Sequence, residues 1–257
     1  MPAPTNMLKQ RFQAGDTTFG CWLSFAEAGP AEIMGTAGFD WLVIDSEHAP
    51  NDLRSIRDQL MALQASPSPT VVRVPVGEPW IIKQMLDVGA QSILVPMVES
   101  GEQAARMVRA CTYPPKGIRG VGAASTRSSR FSTIEDYVQT ADEQIALILQ
   151  VENRAGIAAL DDILAVEGVD CVFIGPADLA ADMGHRGNPA HPEVHGVIVE
   201  TLGRIAAAGK VPGILSLSDE VTESYVAAGA RFVAVAIDVI TLSRAAQATV
   251  KRWIKPA

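Results

Sequence analysis

A (β/α)8 barrel is the architecture this sequence predicts, on three observations. Eight short apolar runs of strand length recur along the whole chain. Between most of them lie helical patterns that stop at a glycine just before the next run. The length of 257 residues, 48% hydrophobic, suits one large core, and barrels of about 250 residues fold as one domain. A single domain over residues 1–257 is therefore expected.

The runs are Phe19 to Leu23, Trp41 to Ile44, Thr70 to Val74, Ser92 to Val95, Ala146 to Val151, Cys171 to Ile174, Val211 to Leu215 and Phe232 to Ala236. Each is too short for a helix and rich in the β-branched and aromatic residues that pack on a pleated surface. The intervening helices end at Gly38, Gly89, Gly168, Gly209 and Gly229, where glycine can take the left-handed conformation that turns the chain back into the sheet. No glycine-rich dinucleotide turn or phosphate loop is present to favour a doubly wound sheet. Two segments break the rhythm. Tyr113 to Arg130, rich in Pro, Gly, Ser and Arg, reads as a long loop after the fourth strand, and Leu242 to Trp253 reads as a closing amphipathic helix.

Composition narrows the function. A formal net charge of -8, with no block of Lys or Arg, argues against a nucleic-acid partner. Cys21, Cys111 and Cys171 are odd in number and widely spaced, as buried thiols of a reducing compartment would be. No apolar run is long enough to span a bilayer and the first residues lack a signal-peptide core. A cytoplasmic protein without a membrane partner is the expectation.

The chemistry is expected where barrel strands end. Residues 146–178 form a β-α-β unit in which each strand is followed by a carboxylate, Glu152 and then Asp178. Two acids close together in a partly dry mouth repel unless a proton or a divalent cation lies between them. A metal is the first reading, and a pair of solvated loop acids the plain one. Gln150 shares the side of the strand that Glu152 takes, by period-2 alternation. The turn Gly175, Pro176, Ala177, Asp178 offers backbone N–H groups, Pro176 excepted, to a substrate carboxylate.

Asp45 ends the second strand and His48 follows three residues later. A carboxylate bonded to one imidazole nitrogen raises the basicity of the other, as a general base requires. The alternative is that Asp45 and Glu47 only cap the helix that begins near Asn51. Arg73, inside the third apolar run, must face an anion, either a structural carboxylate or a substrate. Lys9, Lys83, Lys116, Lys210, Lys251 and Lys255 all lie away from predicted strand ends, which disfavours a Schiff base. His185, His191 and His195 are expected at the surface.

Taken together, the segments AspSerGluHisAlaPro after Trp41, ValArgValPro around Arg73, TyrProProLysGlyIleArgGlyValGly from Tyr113, GlnValGluAsn around Glu152 and PheIleGlyProAlaAspLeu around Asp178 resemble the HpcH/HpaI family of metal-dependent class II pyruvate aldolases. The resemblance covers nearly the whole chain in order and spacing. It implies a (β/α)8 barrel in a homo-hexamer that exchanges its C-terminal helix, with Mg2+, Mn2+ or Co2+ held by Glu152 and Asp178. It further implies His48, paired with Asp45, as acid/base, Arg73 on the keto oxygen, Gly175 and the backbone after it on the carboxylate, and Gln150 beside the metal. Trp22 falls near the substrate, and Val121 and Leu215 where the family shapes its aldehyde pocket. The implied reaction is reversible aldol addition of pyruvate or hydroxypyruvate to an aldehyde, giving a 4-hydroxy-2-oxo acid. An oxaloacetate decarboxylase or an acyl-CoA lyase, with Arg119, Arg127 and Arg130 as a phosphate groove, is the neighbouring alternative. A non-catalytic sensor of 2-oxo acids is the distant one.

Overall fold

A computed structural model describes residues 1–254; Lys255 lies outside them. Helix α1 (Met7–Ala14) precedes the barrel, whose strands are β1 (Thr18–Leu23), β2 (Trp41–Asp45), β3 (Thr70–Arg73), β4 (Ser92–Val95), β5 (Ala146–Val151), β6 (Cys171–Ile174), β7 (Val211–Leu215) and β8 (Phe232–Ile237). They close in sequence order as an all-parallel barrel, β8 pairing with β1. The helices are α2 (Ala28–Gly35), α3 (Leu53–Ala62), α4 (Pro79–Asp87), α5 (Gly101–Cys111), α6 (Tyr137–Thr140), α7 (Arg154–Ala158), α8 (Leu160–Leu164), α9 (Pro176–Asp182), α10 (Pro192–Ala207), α11 (Asp219–Ala227) and α12 (Asp238–Trp253). Every predicted strand is present, each boundary within one residue. The five helix-ending glycines all have positive φ, from 74° to 113°.

Alternation along the strands splits the apolar side chains into two cores. One set, including Leu42, Ile44, Val72, Ile93 and Val172, faces the helices. The other fills the barrel: Trp22, Trp41, Val43, Val71, Ile148, Phe173 and Phe232 pack there with Leu8 and Phe12 of α1, which plug the end where the strands begin. Trp41 stacks on Phe232 with ring centroids 3.8 Å apart. That packing needs Gly20, since a Cβ there would lie 2.1 Å from the Trp41 ring.

The arginine-rich segment follows α5, so it lies towards the end of the barrel where strands start. Gly122 is beside Asp87, the last residue of α4, and Arg127 donates to Val88 O at 3.1 Å. Cys21, Cys111 and Cys171 are buried and unpaired. No helix among the described residues is long and apolar enough to cross a membrane.

Candidate active site at the carboxyl ends of the strands

The second and third strands bring the first pair of groups together. Asp45 and Arg73 are register partners, so their side chains leave the same face at adjacent positions. Arg73 donates from Nε to Asp45 Oδ1 at 2.8 Å and from Nη2 to Oδ2 at 2.7 Å. Both are nearly inaccessible to solvent, and this two-point geometry is the strong form of the ion pair. Asp45 Oδ1 also accepts the backbone N–H of Glu47 at 3.0 Å and of His48 at 3.4 Å.

The expected bond between Asp45 and the His48 ring is therefore not formed. The carboxylate is consumed by its strand partner and by the turn it caps, while the His48 side chain is 66% exposed. Its nearest acid is instead Glu47, with Nε2 3.9 Å from Oε2. Glu47 is the residue that the sequence reading treated only as a cap. Its Oε2 lies 2.6 Å from Arg73 Nη1, yet it is buried and accepts no directed hydrogen bond. Burial pushes the Glu47 carboxyl up; Arg73 and His48 pull it down, and Asp45 and Asp178 add to the rise. A signal for Glu47 was available: strand alternation from Asp45 aims residue 47 at the same interior.

Across the mouth, β5 and β6 deliver the second pair. Glu152 follows β5 and is buried. Its Oε1 accepts Met97 N–H at 2.9 Å, and its Oε2 accepts Gln150 Nε2. Burial pushes its carboxyl up to about 7 against those two hydrogen bonds, and the charges of Glu47 and Asp178 raise it further. Gly175 leaves room for this arrangement, because a Cβ there would fall 2.4 Å from Glu152 Oε2 and 3.0 Å from Gln150 Nε2. Asp178 is exposed in the first turn of α9. Pro176 opens that helix, and the N–H groups of Ala177 and Asp178 have no helical carbonyl four residues back.

Trp22, next to last in β1, lies inside the mouth with its ring 5.3 Å from the Arg73 guanidinium carbon, and Leu215 ends β7 half-buried against the interior core. Val121 is not brought to this mouth. It is 65% exposed, between Gly120 against Lys83 and Gly122 beside Asp87, on the side of the barrel where the strands begin. Arg119 and Arg127 are also not free to line a phosphate groove. Arg119 is sealed over the Tyr113 ring at 4.4 Å, and Arg127 donates to the carbonyls of Leu60 and Val88.

Four carboxylates, Asp45, Glu47, Glu152 and Asp178, thus gather at a mouth whose one guanidinium is already occupied by Asp45 and Glu47. Gln150 Oε1 is buried beside them with no donor. This excess of oxygen donors fits a hard divalent cation, to which buried Glu152 and exposed Asp178 could each offer a carboxylate oxygen. Fold and site define a barrel enzyme whose strand-end acids, arginine and histidine suit proton transfer assisted by such an ion.

Comparison with known proteins agrees. Residues 18–245 match the family described as HpcH/HpaI aldolase/citrate lyase, and the chain belongs to that family. It is 56% identical over 253 residues to the hydroxypyruvate/pyruvate aldolase of Roseobacter denitrificans, covering 98% of this chain and 99% of that one. It is 48% identical over 248 residues to a 4-hydroxy-2-oxo-heptane-1,7-dioate aldolase of Escherichia coli, covering 96% and 95%. A crystal structure of a HpcH/HpaI aldolase/citrate lyase family protein from Burkholderia cenocepacia superposes with a TM-score of 0.93 at 42% identity, covering 96% of this chain and 99% of the other.

Proposed function

We propose that this protein is a carbon–carbon lyase of the class II aldolase type. It adds pyruvate or hydroxypyruvate reversibly to an aldehyde, giving a 4-hydroxy-2-oxo acid. The observation that carries the reading is the strand-end constellation of an exposed imidazole, a clamped guanidinium and an uncompensated set of acids. A divalent cation held by Glu152 and Asp178, Mg2+, Mn2+ or Co2+, supplies polarisation of the 2-oxo group when bound.

The chain's own residues do the rest. The N–H groups of Ala177 and Asp178 bind the substrate carboxylate at the start of α9. Arg73 spends three of its five N–H groups on Asp45 and the Glu47 contact; those remaining face the 2-oxo oxygen, where negative charge collects as a C3 proton leaves. His48, half held by Glu47 and open to the mouth, takes that proton and returns it to the aldehyde oxygen once the new bond forms. In cleavage the same groups act in reverse. Trp22 and Leu215 supply apolar walls.

The enzyme acts as one (β/α)8 domain in the cytoplasm, a compartment consistent with three buried unpaired thiols. It works as a homo-hexamer. Supporting this, α12 exposes Leu242, Val250 and Trp253, and a cavity of about 490 Å3 lies between α11 and the outer wall of β1 and β8, where Phe19, Val226, Ala227 and Val235 are joined by Asp219, Thr222 and Glu223. A partner's α12 covering that wall would satisfy both surfaces. Val121 would then reach an aldehyde pocket only as a neighbour's residue.

The test is to incubate the Mg2+-, Mn2+- or Co2+-loaded protein with pyruvate or hydroxypyruvate and a panel of aldehydes. Aldol product and solvent exchange of the C3 protons are expected, and both should cease after exhaustive chelation. Absence of exchange and product with every pair, or full activity after chelation, overturns the reading.

A further inference from the structure

The loop between α9 and α10 carries a second group of metal-ligating side chains, remote in type from the all-oxygen mouth. His185 is fixed where α9 ends: its N–H donates to Ala180 O at 2.7 Å and the preceding N–H, of Gly184, to Ala181 O at 3.1 Å. Two further turns, Asn188 N–H to His185 O at 2.9 Å and His191 N–H to Asn188 O at 3.1 Å, bring the chain back. They set the His191 ring on the His185 ring with centroids 3.6 Å apart and planes 14° from parallel. His191 is also the N-cap of α10, its Nδ1 accepting Glu193 N–H at 3.3 Å. Two positions after this N-cap, the Glu193 carboxylate reaches back so that Oε2 lies 2.9 Å from His185 Nε2. One ligand atom of each of the three residues lies within 4.8 Å of the others. As expected, the two histidines lie at the surface, each half-buried.

We propose that His185, His191 and Glu193 form a second cation site, selective for a borderline transition ion such as Zn2+, Ni2+ or Cu2+. Two imidazoles and one carboxylate are a donor set for those ions and a poor one for Mg2+, which takes oxygen. The frame is already closed by backbone hydrogen bonds, so the ion orders only side chains. It takes the place of the proton between His185 Nε2 and Glu193 Oε2, that ring's proton moving to Nδ1. Each ring turns out of the stack so that its lone pair converges on the ion, and water completes the coordination. Because the loop joins α9 to α10, a bound ion clips the two helices together. The role is structural and separate from the reaction.

The experiment counts ions in variants of the full-length protein. Glu152→Gln removes a mouth acid; His185→Gln with His191→Asn removes both rings, and asparagine keeps an N-cap. The Glu152→Gln protein is expected to bind one equivalent of Zn2+ or Cu2+ per chain, with coupling to two imidazole nitrogens in the Cu2+ electron paramagnetic resonance spectrum. Adding the two histidine changes is expected to abolish that equivalent. The histidine changes alone should leave Mg2+-supported turnover within about twofold of the parent. No bound Zn2+ or Cu2+ in Glu152→Gln, or an equivalent that survives loss of both rings, overturns the proposal. Because the ion count and the spectrum use no substrate, their failure is distinguishable from failure of the aldolase reading.

Discussion

Replacing Glu152 by glutamine should separate stability from function. In the metal-free protein its carboxyl is raised from 4.5 to about 7, burial being the largest cause. The folded state therefore holds a proton that the unfolded chain has lost between those values. Stability falls as pH rises from 4.5 and the full penalty is present above about 7. At 1.36 kcal/mol per pH unit, and allowing for shared charge among the neighbouring acids, glutamine should recover about 2 to 3 kcal/mol at pH 8. The replacement is accommodated locally. Its amide oxygen can accept Met97 N–H as Glu152 Oε1 does, and its NH2 can meet Gln150 Oε1, now buried without a donor, once that amide flips. In chelator at pH 8 the variant should melt above the parent by on the order of 5 °C. Millimolar Mg2+ should raise the parent's midpoint and leave the variant's unchanged. The reasoning is refuted if the variant melts below the parent in chelator, or if Mg2+ stabilises both equally.

Arg73→Lys should lower kcat by roughly a hundredfold, because one ammonium cannot both hold Asp45 in two-point contact and face the substrate; unchanged turnover by steady-state assay would remove Arg73 from the chemistry. For Gly175→Ala, the added methyl meets Glu152 Oε2 at 2.4 Å, so metal affinity should drop about 10- to 100-fold while the circular-dichroism spectrum stays that of the parent. His48→Ala should abolish C3 proton exchange without altering the pyruvate dissociation constant, since the side chain is 66% exposed; exchange at the parental rate would sink its role as base. Trp253→Glu, at an exposed position near the end of α12, should give a smaller particle by light scattering if partner helices pack there, and the parental mass would count against exchange.

The barrel was legible because its signals are local and repeated. Each strand is a short apolar run, and five of the turns from helix to strand carry a glycine that takes the left-handed backbone. Glu152 followed the same rule, as an acid just past a buried strand. What could not be read depended on register. Whether Asp45 turns to His48 or to Arg73 is decided by the pairing of β2 with β3, which no residue in the Asp45–His48 loop announces. Helix α1 was missed although Asn6 caps it and Leu8 and Phe12 stand four apart; that spacing is too brief to mark a helix without the open barrel end it fills. Val121 illustrates the converse limit, since position along the chain says nothing about which end of the barrel a loop attends.

The correction at Asp45 changes what the histidine can do. A base oriented by a buried carboxylate is fixed in one tautomer and one pose; His48 has only a longer contact to Glu47, whose own carboxyl burial has pushed up. Glu47 in turn is tied to Arg73 at 2.6 Å, and Arg73 to Asp45, so the acid, the guanidinium and the imidazole form one chain of contacts across the β2 and β3 ends. Any charge placed on the 2-oxo oxygen draws on Arg73, which loosens its hold on Glu47 and leaves that carboxylate freer to stabilise a protonated His48. In the proposed reaction, proton transfer to His48 and charge development at the substrate are then coupled through Glu47. On this account Glu47→Gln should slow proton exchange more than it weakens substrate binding, by about tenfold or more in kcat, whereas equal losses in kcat and affinity would reduce Glu47 to a prop for Arg73.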